Sequence, residues 1–160
     1  MDYPVTPAIR VLREKKVEFE PYVFEYVEKG GTRHSSAVLG IDEHAVVKTL
    51  VFETNEKKPL IVLMHGDCQV STKNLARFLN VKTVAPAAPD KASKLTGYLV
   101  GGTSPFGVKT RMPVYAERTI FALDRIYING GKRGFLVALA PRALRDVLAV
   151  EEVEVKQNAD

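Results

Sequence analysis

The segment Gly97–Pro113, with the sequence GYLVGGTSPFGVKTRMP, is the stretch on which the interpretation of this chain depends. The run Tyr98–Val100 predicts a short strand that enters a tight turn at Gly101 and Gly102. Glycines leave backbone N–H groups accessible, and successive N–H groups in a turn can bind an anion or stabilise a developing oxyanion. A double glycine also serves simply to make a tight turn, so the loop alone leaves both interpretations open.

The composition is that of a single globular domain. The chain has 160 residues, of which 46% are hydrophobic and 26% charged. Lys and Arg outnumber Asp and Glu by 23 to 19, an excess that suits a polyanionic partner without establishing one. The longest apolar runs, such as Leu60–Met64, are much shorter than the ~20 residues of a spanning helix, and the single Cys68 excludes an internal disulfide. We therefore expect a soluble cytoplasmic protein with neither a membrane nor DNA as a partner.

Helix and strand signals alternate along the chain. Thr6 and Pro7 predict the start of a first helix, and the run Phe19–Tyr26 predicts a strand that Pro21 places at a sheet edge. Short turns link most of the predicted strands, which indicates an α+β domain on a curved, mixed sheet over residues 1–150, followed by a frayed, charged tail over 151–160. The other predicted helices are Ser35–Leu39, Lys73–Leu79 with Phe78 facing inward, Asp90–Leu95 and Pro141–Leu148. The other predicted strands are Ala45–Glu53 and Pro59–Met64 in a hairpin, Val81–Val84, Val114–Glu117, Ile126–Asn129 and Phe135–Ala140.

Lys48 stands out by its position in a predicted strand. Because side chains alternate between the two faces of a strand, Lys48 shares one face with Val46, Leu50 and Phe52. An ammonium on an apolar face is costly unless a polar or anionic group meets it, and burial lowers its pKa. Lys48 is therefore a candidate for binding a substrate anion or stabilising an oxyanion. The alternative is that its stem packs while its tip reaches solvent at the sheet edge.

Other catalytic motifs are incomplete. A nucleotide triphosphatase loop is excluded, because Val108 lies between Gly107 and Lys109 and because the next segment predicts a strand rather than a helix. The potential metal ligands are His65, Asp67 and Cys68, with His34 and His44 elsewhere, and their spacing matches no standard zinc pattern. No Gly-x-Ser-x-Gly motif is present. We therefore predict no metal and no cofactor.

Four basic side chains are candidates for a rim around the glycine loop: Lys109, Arg111, Lys132 and Arg133. Loop cations of this kind contact phosphates. A solvated surface turn explains them equally well, so both interpretations stay open.

Three segments taken together resemble the signatures of the YbaK/EbsC family, free-standing relatives of the editing domain inserted in bacterial prolyl-tRNA synthetase. These segments are Val47–Leu50, Gly97–Gly107 and Ile126–Gly134. Thr6–Ala8 and Gly66–Leu79 also fit, so the resemblance covers nearly the whole chain, with three motifs in order at matching spacing. It implies a YbaK/ProX-like α+β fold, with flanking helices on a curved, mixed, largely antiparallel and barrel-like sheet.

The resemblance also implies a deacylase that hydrolyses the ester of a mischarged aminoacyl-tRNA, with prolyl-tRNA synthetase as a potential partner. The family's lysine falls on Lys48, and its Gly-Gly-x-Ser-Pro loop falls on Gly101–Pro105, with catalytic roles for Lys48, Gly101 and Gly102. The lysine and the loop are then expected to surround the ester, orient the 3′-terminal adenosine and stabilise the carbonyl oxygen, while the substrate's own groups or bound water accept the proton. The implied substrate-binding residues are Phe24, Thr49, Thr103, Ser104, Pro105, Asn129, Gly130, Lys132 and Arg133.

Three positions depart from the cysteine-specific members that this chain resembles. Asn129 replaces a common serine, Leu136 replaces an aspartate, and Phe24 replaces a frequent tyrosine. The amino acid removed therefore stays open between cysteine on tRNA(Pro), alanine and another small residue. Two other functions also stay open: a non-catalytic tRNA- or synthetase-binding module of the same fold, and a small-molecule pocket unrelated to tRNA.

Overall fold

The structure, a computed structural model, describes residues 2–158. Within them it has ten strands, five α-helices and two short 3₁₀ helices, Glu43–Ala45 and Arg118–Ala122. The helices are α1 (Pro7–Glu14), α2 (Gly31–Leu39), α3 (Thr72–Leu79), α4 (Pro89–Thr96) and α5 (Arg142–Val147). The strands are β1 (Glu20–Val23), β2 (Val46–Thr54), β3 (Pro59–His65), β4 (Cys68–Val70), β5 (Val84–Pro86), β6 (Val114–Glu117), β7 (Ile126–Lys132), β8 (Phe135–Leu139), β9 (Glu151–Val153) and β10 (Lys156–Asn158). No helix within residues 2–158 is long and apolar enough to span a bilayer.

Local capping signals set the helix ends. The Thr6 hydroxyl accepts a hydrogen bond from the amide of Ile9 at the start of α1. The Ser71 hydroxyl accepts one from the amide of Asn74 at the start of α3. Helices α2 and α4 end at Gly40 and Gly97, both with left-handed φ angles. These ends confirm the predicted helices, although α2 begins at Gly31 rather than Ser35, which brings the preceding polar stretch into the helix.

The eight-stranded sheet is mixed and has the order β1-β8-β7-β2-β3-β6-β9, with β5 paired to β2 outside this path. The hairpin of β2 and β3 is antiparallel, as predicted, whereas β2 runs parallel to β7 and β3 runs parallel to β6. The α+β class and the edge position of β1 are therefore confirmed. The two end strands, β1 and β9, do not pair with each other within the described residues, so the sheet stays open and does not close into a barrel.

One edge of β2 is interrupted at its centre. This edge pairs with β7 at Val46 and Val47 and with β5 from Phe52 to Thr54. Within the described part of the chain, residues 48–51 have no strand partner on that edge, although the amide of Ala87 donates to the carbonyl of Val51 at 3.0 Å. The interruption leaves room for a cavity beside Lys48 and Thr49.

Two apolar clusters hold the sheet, one on each face. The first includes Ile9, Phe106 and Phe135, and the second includes Met64 and Leu75. Strand β3 serves both clusters because its successive side chains point to opposite faces. Burial of β3 on both faces explains why its sequence is almost continuously apolar.

The glycine-rich segment does not begin with a strand. Residues Tyr98–Val100 have no strand partner, and this prediction was wrong because the Tyr98 side chain is drawn into the core. Its hydroxyl donates a hydrogen bond of 2.6 Å to the carbonyl of Phe106 within the same loop. This contact closes the loop on itself instead of leaving its backbone to pair with the sheet.

The end of the chain is ordered as far as Asn158, contrary to the predicted frayed tail. Strand β9 pairs in parallel with β6, and β10 pairs antiparallel with β4. The buried Glu117 carboxylate holds the connection between them by accepting from the amides of Val155 and Lys156 at 2.8 and 2.9 Å. The predicted tail residues 159–160 lie outside the described residues.

Two smaller predictions around α3 were also wrong. The strand expected at Val81–Val84 begins only at Val84. Phe78, expected to face inward, is 45% exposed and lies edge-on to Tyr115, with ring centroids 6.0 Å apart. Helix α3 packs instead through Leu75 and Ala76, so Phe78 lies at the rim of its apolar face.

Candidate active site

A cavity of about 820 Å³ opens beside the interrupted edge of β2. Its walls come from β2, from the segment 24–35 that includes the start of α2, from the approach to α4, from the glycine loop and from β7 and β8. Lys48 and Gly101 both line it, although 53 positions separate them in the chain. Most lining side chains on β2 and α4 are apolar, so polar groups on the wall lie in a partly desolvated space.

Lys48 is the cation on the β2 wall of this cavity. Its Nζ donates a hydrogen bond of 2.5 Å to the carbonyl of Cys68, so the side chain does not extend into bulk water. Burial lowers the pKa of Lys48, opposed by the nearby carboxylates of Glu43 and Asp67. An ammonium has three N–H donors, and the Cys68 carbonyl accepts from one of them. The others are available to an oxygen atom of a bound molecule.

The glycine loop is held from two sides. Gly101 has a φ of +92°, and a Cβ placed on it would lie 2.7 Å from the hydroxyl of Tyr26, so a side chain is disfavoured for conformation and for space. The Asn129 amide nitrogen donates to the Gly101 carbonyl at 3.2 Å, and Arg133 Nε donates to the Val100 carbonyl at 2.9 Å. The β7–β8 hairpin therefore fixes the loop that lines the same cavity as Lys48.

Gly102 differs from the predicted arrangement. Its amide donates to the carbonyl of Leu99 at 2.8 Å inside the turn, so this N–H is not the accessible donor that the sequence suggested. Gly102 is buried and does not line the cavity. A Cβ on it would lie 2.7 Å from the backbone nitrogen of Arg133, which explains glycine here by close packing.

The predicted substrate-binding residues fall into two groups. Those that line the cavity are Phe24, Thr49, Thr103, Asn129 and Arg133. The others do not line it: Ser104 and Pro105 are buried, Gly130 packs against Phe135, and Lys132 is exposed. The Ser104 hydroxyl accepts a hydrogen bond from the Phe106 amide and so shapes the loop from inside.

Thr49 and Asn129 present opposite situations at the cavity wall. The Thr49 hydroxyl is buried and has no hydrogen-bond partner within residues 2–158. The Asn129 side-chain oxygen, in contrast, accepts from the amides of Gly131 and Lys132 at 2.6 and 3.1 Å. Asn129 therefore connects the β7–β8 turn to the glycine loop, whereas the Thr49 hydroxyl has no partner within the described residues.

Several lining residues were not found by sequence reasoning. Tyr26 lies under the Arg133 guanidinium, 5.1 Å from its ring centroid, while Thr32, His34 and Ser35 come from the first two turns of α2. The sequence treats this region as a polar connection. A helix start four residues earlier was the missing signal, since α2 begins at Gly31 and its first two turns line the cavity together with β2.

Cys68 does not have the character of a nucleophile. Burial, together with a hydrogen bond to the neighbouring Asp67 carboxylate, raises the pKa of the Cys68 thiol to about 11. Reactive cysteines need the opposite shift. The Cys68 thiol is therefore a poor nucleophile.

A family model described as "Aminoacyl-tRNA editing domain" matches residues 31–147, which include Lys48, the glycine loop and the β7–β8 hairpin. The chain belongs to this family. The resemblance to YbaK/EbsC proteins is thereby confirmed.

Curated relatives of this editing domain include a free-standing protein and part of a synthetase. The chain is 32% identical over 140 residues to the "Putative Cys-tRNA(Pro)/Cys-tRNA(Cys) deacylase EbsC" of Enterococcus faecalis, covering 87% of this chain and 85% of the relative. It is 26% identical over 133 residues to a proline–tRNA ligase of Streptococcus thermophilus, covering 81% of this chain but only 20% of the ligase. The chain therefore spans about a fifth of that synthetase.

Two solved structures share the fold of this editing domain. One, described as "a putative trans-editing enzyme for prolyl tRNA synthetase", has a TM-score of 0.81 at 18% identity and covers 97% of this chain and 100% of its own. A second, described as a hypothetical protein, has a TM-score of 0.86 at 20% identity and covers 94% and 99% of the two chains. At these identities the likeness concerns the fold alone.

Proposed function

We propose that this editing domain is a trans-editing deacylase that hydrolyses the ester between a mischarged amino acid and the 3′-terminal adenosine of a tRNA. The single observation that carries the proposal is the position of Lys48 and Gly101 on the walls of one cavity. The name of the Enterococcus faecalis relative, which has a similar length, supports the same reaction.

The reaction adds water to the ester carbonyl and releases the free amino acid and the tRNA hydroxyl. Negative charge develops on the carbonyl oxygen, and the unused N–H donors of Lys48 are the groups on the β2 wall that can meet it. A single preorganised oxyanion donor is worth about 3 to 4 kcal/mol of barrier. The proton of the attacking water passes to the substrate's own groups or to a further water, since Cys68 is not suited to receive it.

The cavity wall also supports a small, uncharged amino acid. Leu136 presents an apolar side chain at the wall, and the side-chain oxygen of the neighbouring Asn129 is occupied by backbone amides. Cysteine on tRNA(Pro), alanine and another small residue fit this chemistry.

Arg133 and Lys29 at the cavity and the exposed Lys132 nearby supply positive charge for the tRNA backbone. We further propose that the protein acts in the cytoplasm with prolyl-tRNA synthetase as a partner, which the match to part of a proline–tRNA ligase supports.

A panel of mischarged tRNAs tests the proposal directly. The wild-type protein is expected to release the amino acid from at least one of them through multiple turnovers. Lys48→Ala is expected to reduce turnover at least ~100-fold while the fold survives. Lys57→Ala removes an equal charge at an exposed position outside the cavity and is expected to keep full activity. No hydrolysis of any tRNA refutes the deacylase, and a fully active Lys48→Ala variant removes Lys48 from the mechanism.

One observation favours a second function, a tRNA-binding module without catalysis. The Gly102 amide is already bonded within the turn, which leaves fewer backbone donors for an oxyanion than the sequence suggested. Tight, salt-dependent tRNA binding without ester hydrolysis would support this second function. Multiple turnovers would dismiss it.

A further inference from the structure

Three side chains of metal-ligating type converge beside the active-site cavity. His44 belongs to the short helical turn Glu43–Ala45 before β2, Asp67 lies in the tight turn after β3, and Cys68 begins β4. His44 Nδ1 lies 2.8 Å from Asp67 Oδ1, and Cys68 Sγ lies 3.4 Å from the same oxygen. The three ligand atoms all lie within 4.8 Å of one another.

We propose that this cluster is a binding site for a divalent cation of the zinc class. His44 Nδ1, an Asp67 carboxylate oxygen and the Cys68 thiolate supply three ligands, and a water completes a tetrahedral set. Mixed nitrogen, oxygen and sulfur donors suit Zn²⁺ and Co²⁺, whereas Mg²⁺ and Ca²⁺ prefer oxygen alone. On binding, the ion replaces two protons: the Cys68 thiol proton goes to solvent, and the proton that His44 Nδ1 donates to Asp67 moves to Nε2 by a change of tautomer.

The surrounding contacts hold the ligands in place before any ion arrives. The His44 ring stacks on the His65 ring at 3.8 Å with an angle of 7° between the planes. The buried His65 is itself fixed, because its Nδ1 lies 2.7 Å from the His44 carbonyl and its Nε2 lies 2.7 Å from the Thr119 hydroxyl. Such outer contacts orient metal ligands and increase their affinity.

The turn at Gly66 and Asp67, which leads into Cys68, is equally restricted. A Cβ on Gly66 would lie 2.8 Å from the Glu43 carbonyl and from the Thr32 side chain, so the turn is packed tightly against the segment that carries His44. The His44 and Asp67 side chains remain 35% and 42% exposed. An ion therefore has a route from solvent to the buried Cys68 sulfur.

The site is also connected to the active-site cavity. Lys48 Nζ donates to the carbonyl of Cys68, so the residue that binds the ion also positions the lysine. The binding of the ion is nevertheless independent of the proposed deacylase function, and it is testable without any tRNA.

Cobalt titration tests the site, because thiolate ligation to Co²⁺ gives an absorption band that nitrogen and oxygen ligands do not give. Chelator-treated full-length protein is titrated with CoCl₂ under anaerobic conditions and then with ZnCl₂. We expect about one equivalent of Co²⁺ with the thiolate band, displaced by Zn²⁺. Cys68→Ser is expected to abolish the band, and Asp67→Asn to weaken binding at least ~10-fold. His34→Ala removes a histidine outside the cluster and is expected to retain both band and stoichiometry.

Thermal unfolding of the metal-free variants separates loss of the site from loss of the fold. Because Asp67 is partly exposed, Asp67→Asn tests the site even if the substitution at the buried Cys68 impairs folding. The proposal is overturned if the wild-type protein shows no thiolate band. It is equally overturned if the folded Asp67→Asn variant binds Co²⁺ as tightly as the wild type.

Discussion

Thr49→Val separates the stability of the fold from the function of the cavity. The Thr49 hydroxyl is buried without a partner in the described protein, and valine has nearly the same shape. An unsatisfied buried hydroxyl costs about 1 to 3 kcal/mol, so its removal is expected to increase the free energy of unfolding by at least about 1 kcal/mol. For a chain of this size, each kcal/mol raises the melting temperature by about 2 to 4 °C.

The same substitution is expected to reduce deacylation if the hydroxyl serves the substrate. One hydrogen bond between neutral groups contributes about 0.5 to 1.5 kcal/mol, which corresponds to a decrease of about 2- to 10-fold in kcat/KM. The two measurements are urea unfolding of the free protein and steady-state hydrolysis of the best mischarged tRNA.

Thr96→Val is the matched control, because it makes the same chemical change where the hydroxyl is bonded. The Thr96 hydroxyl donates to the Ala92 carbonyl at 2.8 Å and accepts from the Tyr98 amide at 3.1 Å, so this variant is expected to lose about 1 to 3 kcal/mol of stability. If Thr49→Val destabilises the protein as much as Thr96→Val, the Thr49 hydroxyl has a partner inside the protein and our reasoning fails. A stabilised variant with unchanged kcat/KM shows that the substrate does not use the hydroxyl.

Three further predictions concern stability, pH and the glycine loop. Burial raises the pKa of Tyr98 from its ordinary value of 10.0 to about 12. The buried, protonated hydroxyl therefore contributes roughly 2 to 3 kcal/mol to the free energy of unfolding below pH 10, and this contribution is lost as the pH rises to 12. In urea unfolding across this pH range, the free energy of unfolding is expected to decline less steeply for Tyr98→Phe than for the wild type. Equal declines for the two proteins would contradict this role of Tyr98. Gly101→Ala is expected to lower kcat/KM at least ~10-fold, because the positive φ and the Tyr26 hydroxyl both oppose a Cβ and force the loop to move; wild-type kinetics would show that the loop position is not critical. Glu117→Ala is expected to lower the free energy of unfolding by about 2 to 3 kcal/mol and to speed hydrogen exchange at the Val155 amide, whereas unchanged exchange would indicate that the end of the chain is held by other contacts.

The capped starts of α1 and α3, the ends of α2 and α4, the β2–β3 hairpin and the edge strand β1 could be predicted from the sequence, because they depend on neighbouring residues. The start of α2 was not predicted. Thr6 and Ser71 cap helices through amides three positions away, and Gly97 ends α4 by its own φ angle. Strand alternation placed Lys48 on a wall of apolar side chains for the same local reason. The spacing of the three motifs also indicated the family that the comparisons then confirmed.

The remaining features depend on contacts between residues far apart in the chain. The interrupted edge of β2 exists because β7 and β5 pair with its two ends, and the amide of Gly102 is unavailable because the loop folds onto Leu99. The meeting of His44 with Asp67 follows from the register of β2 against β3.

By itself, then, the sequence determined the local elements, the lysine and the glycine loop of this editing domain. Only the tertiary structure decided which polar atoms remain unpaired in the cavity and which side chains converge beside it. The physical reason is that helix capping and strand alternation depend on residues a few positions apart in the chain. The partners of a buried polar atom and the members of a metal ligand set, in contrast, are brought together only when distant segments fold against each other.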